Sequence, residues 1–189
     1  MTTVVAIERG QLGPDAKTDR GIHLVPPADI ETHAPDLHLA AIDNGSLVAR
    51  CSCWWTAGPQ RLDDRIGAIG HYAAVDRDAG AAVLDRACAA LASAGCTLAV
   101  GPMDGNTWRR YRFIVERGDE PVFLLEPDNP DAWPAHWTDA GFSPLATYTS
   151  AINDDLSVED PRTDERLARL DEGGVRIRTI DAARIDLEL

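Results

Sequence analysis

Positive charge is what this 189-residue sequence has least of, because 18 arginines and lysines stand against 31 acidic residues and give a formal net charge of −13. Lys17 is the only lysine, so arginine carries nearly all of the positive charge. Nucleic-acid binding depends largely on cations that neutralise phosphates, and an acidic surface repels that backbone. The composition therefore argues against a nucleic-acid partner.

Long apolar runs are also missing from the sequence. A helix that crosses a membrane needs about 20 consecutive apolar residues, so we expect no membrane partner. The first residues, MTTVVAIER, lack the basic start and the long apolar segment that are typical of a signal peptide. We therefore expect a cytoplasmic protein.

Cysteine and histidine spacings typical of a metal site are absent as well. Cys51 and Cys53 form a C-x-C pair in an apolar run, where strand alternation places both on one face. Cys88 and Cys96 lie on and just after a predicted helix. Zinc sites use paired cysteines or histidines at ligand spacing. We therefore expect free, buried thiols and no metal.

What the sequence does contain fits one domain with a hydrophobic core, since 44% of its residues are hydrophobic and 26% are charged. Residues 1–36 hold many glycines and prolines, which predicts an irregular N-terminal segment. Beyond it, apolar runs at His38–Asp43 and Ser46–Thr56 flank Asn44-Gly45. Asn-Gly between two such runs predicts a hairpin of antiparallel strands.

The central part of the sequence predicts a strand, a helix and a second strand. Residues 65–75 are apolar, with Gly67 and Gly70 at points where a strand can bend. Residues 79–94 carry apolar side chains at helical spacing, and residues 96–100 are again apolar. Strands joined through a helix run parallel. We expect an α/β fold of the α+β type, with a mixed, largely antiparallel central sheet flanked by helices.

Weaker patterns complete the prediction towards the C-terminus. We expect helices over Thr107–Arg117, Asp131–Ala140 and Asp164–Leu170, and strands over Pro121–Glu126, Ser143–Ile152 and Val175–Ile180. Pro134 is compatible only with the first turn of its helix. Residues 153–174 are mostly acidic and polar.

One motif at the junction of the central strand and helix indicates a chemistry. Residues 77–82 read Arg-Asp-Ala-Gly-Ala-Ala, or R-x-x-G-x-A. A helix N-terminus presents unpaired N–H groups and a partial positive charge, so a pyrophosphate binds there when small residues let the backbone come close. Arg77 would add a phosphate contact, although Asp76 and Asp78 oppose an anion. The alternative is an ordinary helix start with Asp78 as N-cap.

The order of the elements together with this motif resembles the GNAT superfamily of acyltransferases. The stretches VGPMDGN, PVFLLEPDNP and AHWTDAGF further resemble a bacterial GNAT-like subgroup of unassigned substrate. The resemblance covers Leu39–Ile152 and implies a GNAT-like domain over residues 37–152. Residues 153–189 then form an acidic linker and a terminal strand, which look like the start of a second GNAT-like lobe.

The resemblance implies acetyl-CoA as co-substrate and a direct attack of an amine on its thioester. The coenzyme's phosphates would lie at Arg77, Gly80, Ala81 and Ala82, and its pantetheine arm along Tyr72, Ala73, Ala74 and Val75. The acceptor would lie near Asn106, Trp108 and Arg109. Candidate bases are Asp104, Glu126 and Asp128, of which we take Asp104, and for each of them a solvated surface carboxylate is the alternative.

The expected general acid is missing. GNAT enzymes often use a tyrosine four residues before a Gly-Phe pair, and here Trp137 stands four residues before Gly141. An indole N–H cannot act as a general acid. Tyr111 or Tyr148 would have to replace it, and we take Tyr111 as the candidate.

The segment Trp108–Arg112, WRRYR, is the one dense basic and aromatic stretch. Arginine favours bidentate contacts with phosphate, so this segment is a candidate site for an anionic acceptor, for the coenzyme's 3′-phosphate or for an acidic partner. The alternative that we favour is an amphipathic helix with Trp108 and Tyr111 facing inward and the arginines paired with nearby acids.

Three functions remain open at this stage. The leading one is an acyl-CoA-dependent N-acyltransferase that transfers acetyl to a small-molecule amine of unknown identity. The second is a non-catalytic GNAT-fold lobe that acts as a scaffold, a ligand-binding module or a dimerisation module, which Trp137 favours and which predicts a homodimer or a partner chain. The third is an unrelated α/β binding protein, since the order of elements does not prove topology.

Overall fold

The computed structural model describes residues 2–7, 16–57, 60–61, 63–123, 126–155, 157 and 160–184. The chain divides into two units, Met1–Leu145 and Ala146–Leu189. The strands are β1 (Thr3–Ile7), β2 (Leu37–Asp43), β3 (Ser46–Trp54), β4 (Gln60–Arg61), β5 (Asp64–Ala74) and β6 (Leu98–Val100). The helices are α1 (Pro27–His33), α2 (Arg77–Ser93), α3 (Trp133–Asp139) and α4 (Thr163–Glu172), with a 3₁₀ turn at Ala182–Arg184.

The first unit contains a mixed sheet that is largely antiparallel. Strands β1, β2, β3 and β5 are antiparallel neighbours in that order. The short strand β4 pairs antiparallel with the start of β5, and β6 pairs parallel with β5. The predicted mixed α/β architecture, with two parallel strands joined through a helix, is therefore confirmed.

The β2–β3 hairpin forms where Asn-Gly predicted it. Asn44 and Gly45 have φ values of 49° and 80°, and Asp43 pairs with Ser46 across the turn. Two consecutive residues with positive φ match the right-handed twist of the strands, and Asn and Gly tolerate that backbone conformation best. The turn residues therefore fix the register of the two strands.

Helix α2 covers one face of the sheet. Its N-cap is Asp76, whose extended backbone lets the carboxylate accept from Ala79 N at 2.9 Å. The predicted cap, Asp78, lies inside the helix, so that assignment is wrong by two residues. The buried apolar side chains of α2 are Ala79, Val83, Leu84, Ala87 and Leu91, which pack on Leu39, Cys51, Cys53 and Ile69 of the sheet.

The N-terminal segment contains two regular elements, β1 and α1, that its glycines and prolines did not predict. Proline occupies the first turn of α1, where its missing N–H costs nothing. The segment lies on the face of the sheet opposite α2, where Ile22 packs with Ala40, Leu47 and Ala73. This second face also carries polar side chains, and it holds part of the candidate site.

Four further predictions fail in part or in full. Residues 107–117 are not helical, because side chains satisfy their backbone: Asn106 Oδ1 accepts from Trp108 N, and Asn129 Oδ1 accepts from Ile114 N. Residues 143–152 and 175–180 are not in strands. Residues 121–123 and 126 are not in a strand either, while 124 and 125 lie outside the described residues.

The other two helices that the sequence predicted are confirmed. Helix α3 contains Pro134 in its first turn, and α4 spans the predicted 164–170. In the second unit the described side chains are exposed, apart from the half-buried Asp160 and Ala182, whose side chain is outside the description. Within the described ranges, no helix is both long and apolar enough to cross a membrane.

Candidate functional site

A cleft of about 260 Å³ lies at the carboxyl end of β5. It contains two residues of the predicted pantetheine site, Ala74 and Val75, and it is closed on one side by α3 through Trp133 and His136. Its remaining lining comes from Arg20, Gly21, Ile22, Pro130 and Ala132. The first turn of α2, with the predicted phosphate site, starts two residues after Val75 in the chain, and none of its residues is among those that line the cleft.

The predicted coenzyme residues differ in how far a ligand can reach them. Tyr72 is buried, and its hydroxyl lies 3.1 Å from His136 Nδ1. Burial raises the pKa of Tyr72 above its ordinary value. A Cβ added at Gly80 would come within 2.4 Å of that hydroxyl, so Gly80 is small because Tyr72 packs on it. Ala73 and Ala74 are buried, while Val75, Ala81 and Ala82 are half-buried.

Charge at the start of α2 is partly satisfied by the protein itself. The Asp76 carboxylate occupies the N–H of Ala79. Arg77 points outward, with a side chain 66% exposed, and its Nε pairs with Asp139 Oδ2 of α3 at 2.8 Å. The first N–H groups of any helix have no carbonyl partner within the helix, so those of Arg77 and Asp78 still face outward. An anion at this helix start would therefore contact two backbone amides and an arginine whose charge is partly neutralised by Asp139.

A second group of residues surrounds a bulge in β5. The register with β3 shifts between Arg50 and Ser52, so that His71 and Tyr72 stand opposite Cys51 alone. His71 has a φ of 49°, a conformation that side chains rarely adopt and that often occurs at functional sites. The bulge turns the His71 side chain towards Ser52 and away from the core under α2.

His71 belongs to a chain of four hydrogen-bonded side chains. His33 Nδ1 lies 2.7 Å from His71 Nε2, and His71 Nδ1 lies 2.9 Å from Ser52 Oγ. The same Ser52 Oγ lies 2.7 Å from Nδ1 of His38. His33 is half-buried and the other three are buried. This His33–His71–Ser52–His38 chain runs from the edge of α1 into the sheet.

All three imidazoles are held neutral. Burial contributes most, and repulsion from the protonated form of His33 comes second; together they lower the pKa of His71 to about 3. Burial and the charge of Arg50 lower the pKa of His38 to about 4. Burial and the charge of Arg109 also lower the pKa of His33. Neutral imidazoles can each donate one hydrogen bond and accept one, which is what a continuous chain requires.

The predicted catalytic pair lies in the loop that follows β6. Asp104 is buried, its Oδ1 accepts from His71 N at 2.5 Å, and burial raises its pKa while that hydrogen bond opposes the rise. Tyr111 is half-buried, and its hydroxyl accepts from Arg112, whose guanidinium also lies over the tyrosine ring and pairs with Glu126. Asp104 therefore contacts the bulge in β5, whereas the hydroxyl of Tyr111 is already hydrogen-bonded to Arg112.

The predicted acceptor residues occupy the same loop. Arg109 donates to Asp104 O and to Thr32 O, both at 3.2 Å, and so ties the loop to α1. The Trp108 side chain is 95% exposed, which makes the inward orientation predicted for it wrong. Asn106 is exposed and accepts from Trp108 N. Trp137, at the position of the missing acid, is buried, and its Nε1 has no partner among the described residues.

Sequence reasoning missed the imidazole chain. Its three histidines belong to α1, β2 and β5, and their spacing in the sequence matches no metal-ligand pattern. A signal was present, because polar His38, Ser52 and His71 interrupt apolar strands, and a buried polar side chain normally has a hydrogen-bond partner. The predicted absence of a metal site stays a prediction, although no cluster of three or more ligating side chains occurs in the described part.

Comparison with known proteins identifies no relative: neither a family model, nor a curated protein, nor a solved structure matches the chain.

Proposed function

We propose that the first unit is a GNAT-like lobe that binds acetyl-CoA and transfers its acetyl group to an amine. The observation that carries the proposal is the cleft at the carboxyl end of β5, two residues before α2 begins in the chain. Open crevices at the carboxyl ends of strands are common ligand sites, and helix N-termini favour phosphates. Arg20 in the lining and Arg77 at the start of α2 add positive charge to an acidic protein.

The chemistry asked of this lobe is modest. The amine nitrogen attacks the thioester carbon, the C–S bond breaks, and the amine proton passes to a base or to water while the thiolate is protonated from solvent. A thiol has an ordinary pKa of about 8.5, so its thiolate leaves without a strong acid. Loss of the usual tyrosine at Trp137 would therefore slow the reaction without abolishing it.

A second candidate is a non-catalytic lobe that supports a partner lobe or a second copy of the chain. Two observations favour it. Asp76 already caps α2 and Asp139 already pairs with Arg77, so the phosphate site is in part occupied. In addition, the runs 146–152 and 175–180 have sheet-forming sequences, yet they are exposed and not in strands.

Calorimetric titration of acetyl-CoA into the protein separates the two functions. The test variant is Arg77→Ala and its matched control is Asp139→Asn, because both remove the same ion pair and only the first removes a phosphate contact. We expect micromolar binding that Arg77→Ala weakens about tenfold, or about 1.4 kcal/mol. Asp139→Asn should keep or strengthen it, since it frees the guanidinium.

Other results would reject the transferase. No binding by the unmodified protein would leave the non-catalytic lobe. Equal losses in both variants would mean that the ion pair is only structural. Gly80→Glu, an obvious choice from the motif, is unsuitable as a control because its Cβ would overlap the Tyr72 hydroxyl and disturb folding.

A further inference from the structure

Positive charge collects around the His33–His71 pair in this otherwise acidic protein. Arg50 and Arg109 both act on the pKa of His71, and Arg110 acts with Arg50 on the pKa of Asp104. None of the three arginines forms an ion pair with a described residue. Asp104 is buried and bonded to His71 N, Asp29 also acts on the pKa of His33, and Arg110 acts on the pKa of Asp128. The charged side chains that lower the pKa of His71 are therefore all cationic, and the carboxylates act on the groups around it.

Arg50 shows this imbalance most clearly. It donates to two backbone carbonyls, His23 O at 2.6 Å and His71 O, rather than to a carboxylate. Burial lowers its pKa to about 10, with Asp104 opposing the change. A charge removed from water is normally stabilised by an opposite charge nearby. The interior behind the His33–His71 pair thus favours an anion.

The imidazole chain has a definite direction. His38 Nε2 is buried without a partner among the described residues, and a buried N–H left unbonded is costly, so the proton of His38 lies on Nδ1, where Ser52 can accept it. Ser52 then accepts from His38 and donates to His71 Nδ1. His71 in turn donates from Nε2 to His33 Nδ1. The proton of His33 must therefore lie on Nε2.

Arg109 lies close to this donor, and the exposed side chains of Arg110 and Trp108 adjoin it in the same loop of the chain. Arg109 is held by carbonyls of α1 and of its own loop, so its position is fixed without neutralising its charge. Arg110 is exposed, and the side chain of Trp108, two residues earlier in the chain, is almost fully exposed. A fixed neutral donor, two unneutralised guanidiniums and an aromatic face have the chemistry of an anion site.

We propose that His33, Arg109 and Arg110, with Trp108 of the same loop, bind the carboxylate or phosphate group of a small molecule. The site goes beyond acyl transfer and does not depend on it. If the lobe does transfer acyl groups, the anion belongs to the acceptor, which is then an amine that carries a negative charge.

The first test is the position of the proton on His33. Long-range ¹H–¹⁵N spectra at pH 7 should show the Nε2–H form. Titration with inorganic phosphate, and separately with acetate, should then give saturable shifts of His33 and of the Trp108 indole. Saturation by either anion supports the site and tells which chemistry it prefers. A proton on Nδ1, or no saturable shift with either anion, overturns the proposal.

Variants separate a built site from general charge. Arg110→Gln should weaken binding of the effective anion about fivefold, the effect of one exposed charged contact of ~1 kcal/mol. Arg86→Gln, which removes an exposed arginine from α2, should have no effect. Equal weakening by both would show only non-specific attraction and reject the site. His33→Gln keeps a donor and should bind better than His33→Phe.

The anion site at His33 and the coenzyme site at α2 can be tested independently of each other. Arg77→Ala removes the contact expected to hold the coenzyme, at the start of α2, and should leave anion binding at His33 unchanged. If Arg77→Ala abolishes the shifts of His33, the anion binds at α2, and the assignment to His33 is wrong.

Discussion

The Nδ1 atom of His33 lies 2.7 Å from the Nε2 atom of His71, so a residue of a short helix and a residue of the central sheet share one proton across 38 positions of sequence. Ser52 and His38 continue the chain inside the sheet. Because each member needs its neighbour as donor or acceptor, the chain should behave as one unit in stability as well as in binding.

Ser52→Ala should destabilise the protein by about 3 kcal/mol. The hydroxyl is buried and serves two imidazoles, so its loss leaves a nitrogen of His38 and one of His71 without a partner. Urea unfolding followed by circular dichroism measures the change. The control is Ser93→Ala, which removes an exposed hydroxyl from α2 and should change stability by less than about 0.5 kcal/mol. Equal losses of stability in Ser52→Ala and Ser93→Ala would mean that Ser52 does not link the two imidazoles by hydrogen bonds.

Stability should fall as the pH falls from about 6.5 towards 4. The pKa values of His38 and His71 are lowered to about 4 and about 3 in the folded protein, from 6.5 when unfolded. In this window the unfolded chain binds protons that the folded chain does not, so acid favours unfolding. Each such histidine contributes a slope of about 1.4 kcal/mol per pH unit. Above pH 6.5 their contribution is complete.

Asp104 acts in the opposite sense, because burial raises its pKa and its stabilising contribution is present at low pH and lost as pH rises. Urea titrations at several pH values measure the net slope. His38→Phe should remove about 1.4 kcal/mol per pH unit from it. A slope that His38→Phe does not alter would mean that His38 titrates normally.

The sequence predicted the parts of this fold that depend on neighbouring residues. The Asn44-Gly45 turn, the helix beginning at Arg77 and the parallel strand after it all follow from local pattern. Residues 143–152 had a strand pattern too, but a strand forms only where a partner edge is available. Their failure shows that strand pairing cannot be predicted from one segment alone, and the missing helix at residues 107–117 shows that a weak helix pattern is also overridden by tertiary contacts.

The candidate site was harder to predict, for a related reason. Its hydrogen bonds join His33, Ser52 and His71, which only the folded sheet and the bulge bring together. The motif at Arg77 and Gly80 was visible because a helix start is local. The structure adds that Gly80 contacts Tyr72, which no spacing rule could supply.

Gly70→Ala should cost about 3 kcal/mol or more. A Cβ at this position would come within 2.2 Å of Met103 O and 2.5 Å of Asp104 Oδ1, and backbone cannot move aside as a flexible side chain can. Thermal unfolding measures the loss. Gly118→Ala is the control, because its Cβ would meet nothing closer than 4.0 Å. If both variants melt alike, the loop does not pack on β5 as described.

Truncating Trp137 should lower the free energy of unfolding strongly, whereas truncating Trp108 should hardly change it. Trp137→Ala should destabilise the protein by about 3–5 kcal/mol, because its ring is buried and its ring centroid lies 4.6 Å from that of Phe142 and 5.7 Å from that of Phe113. Trp108→Ala should change stability by less than about 0.5 kcal/mol, because the ring is exposed. Urea unfolding distinguishes the two. A large loss in Trp108→Ala would restore the inward-facing helix that the sequence favoured.

Amides of α4 should exchange with solvent almost as fast as those of an unfolded chain, while those of α2 should be strongly protected. Helix α4 has ten residues and buries none, and isolated helices of that length are marginal in water. Its exposed Glu165–Arg169 pair adds only about 0.4 kcal/mol. Hydrogen exchange read by mass spectrometry measures both helices in one sample. Protection of α4 that increases with protein concentration would instead show that it docks on a second copy, which favours the non-catalytic lobe.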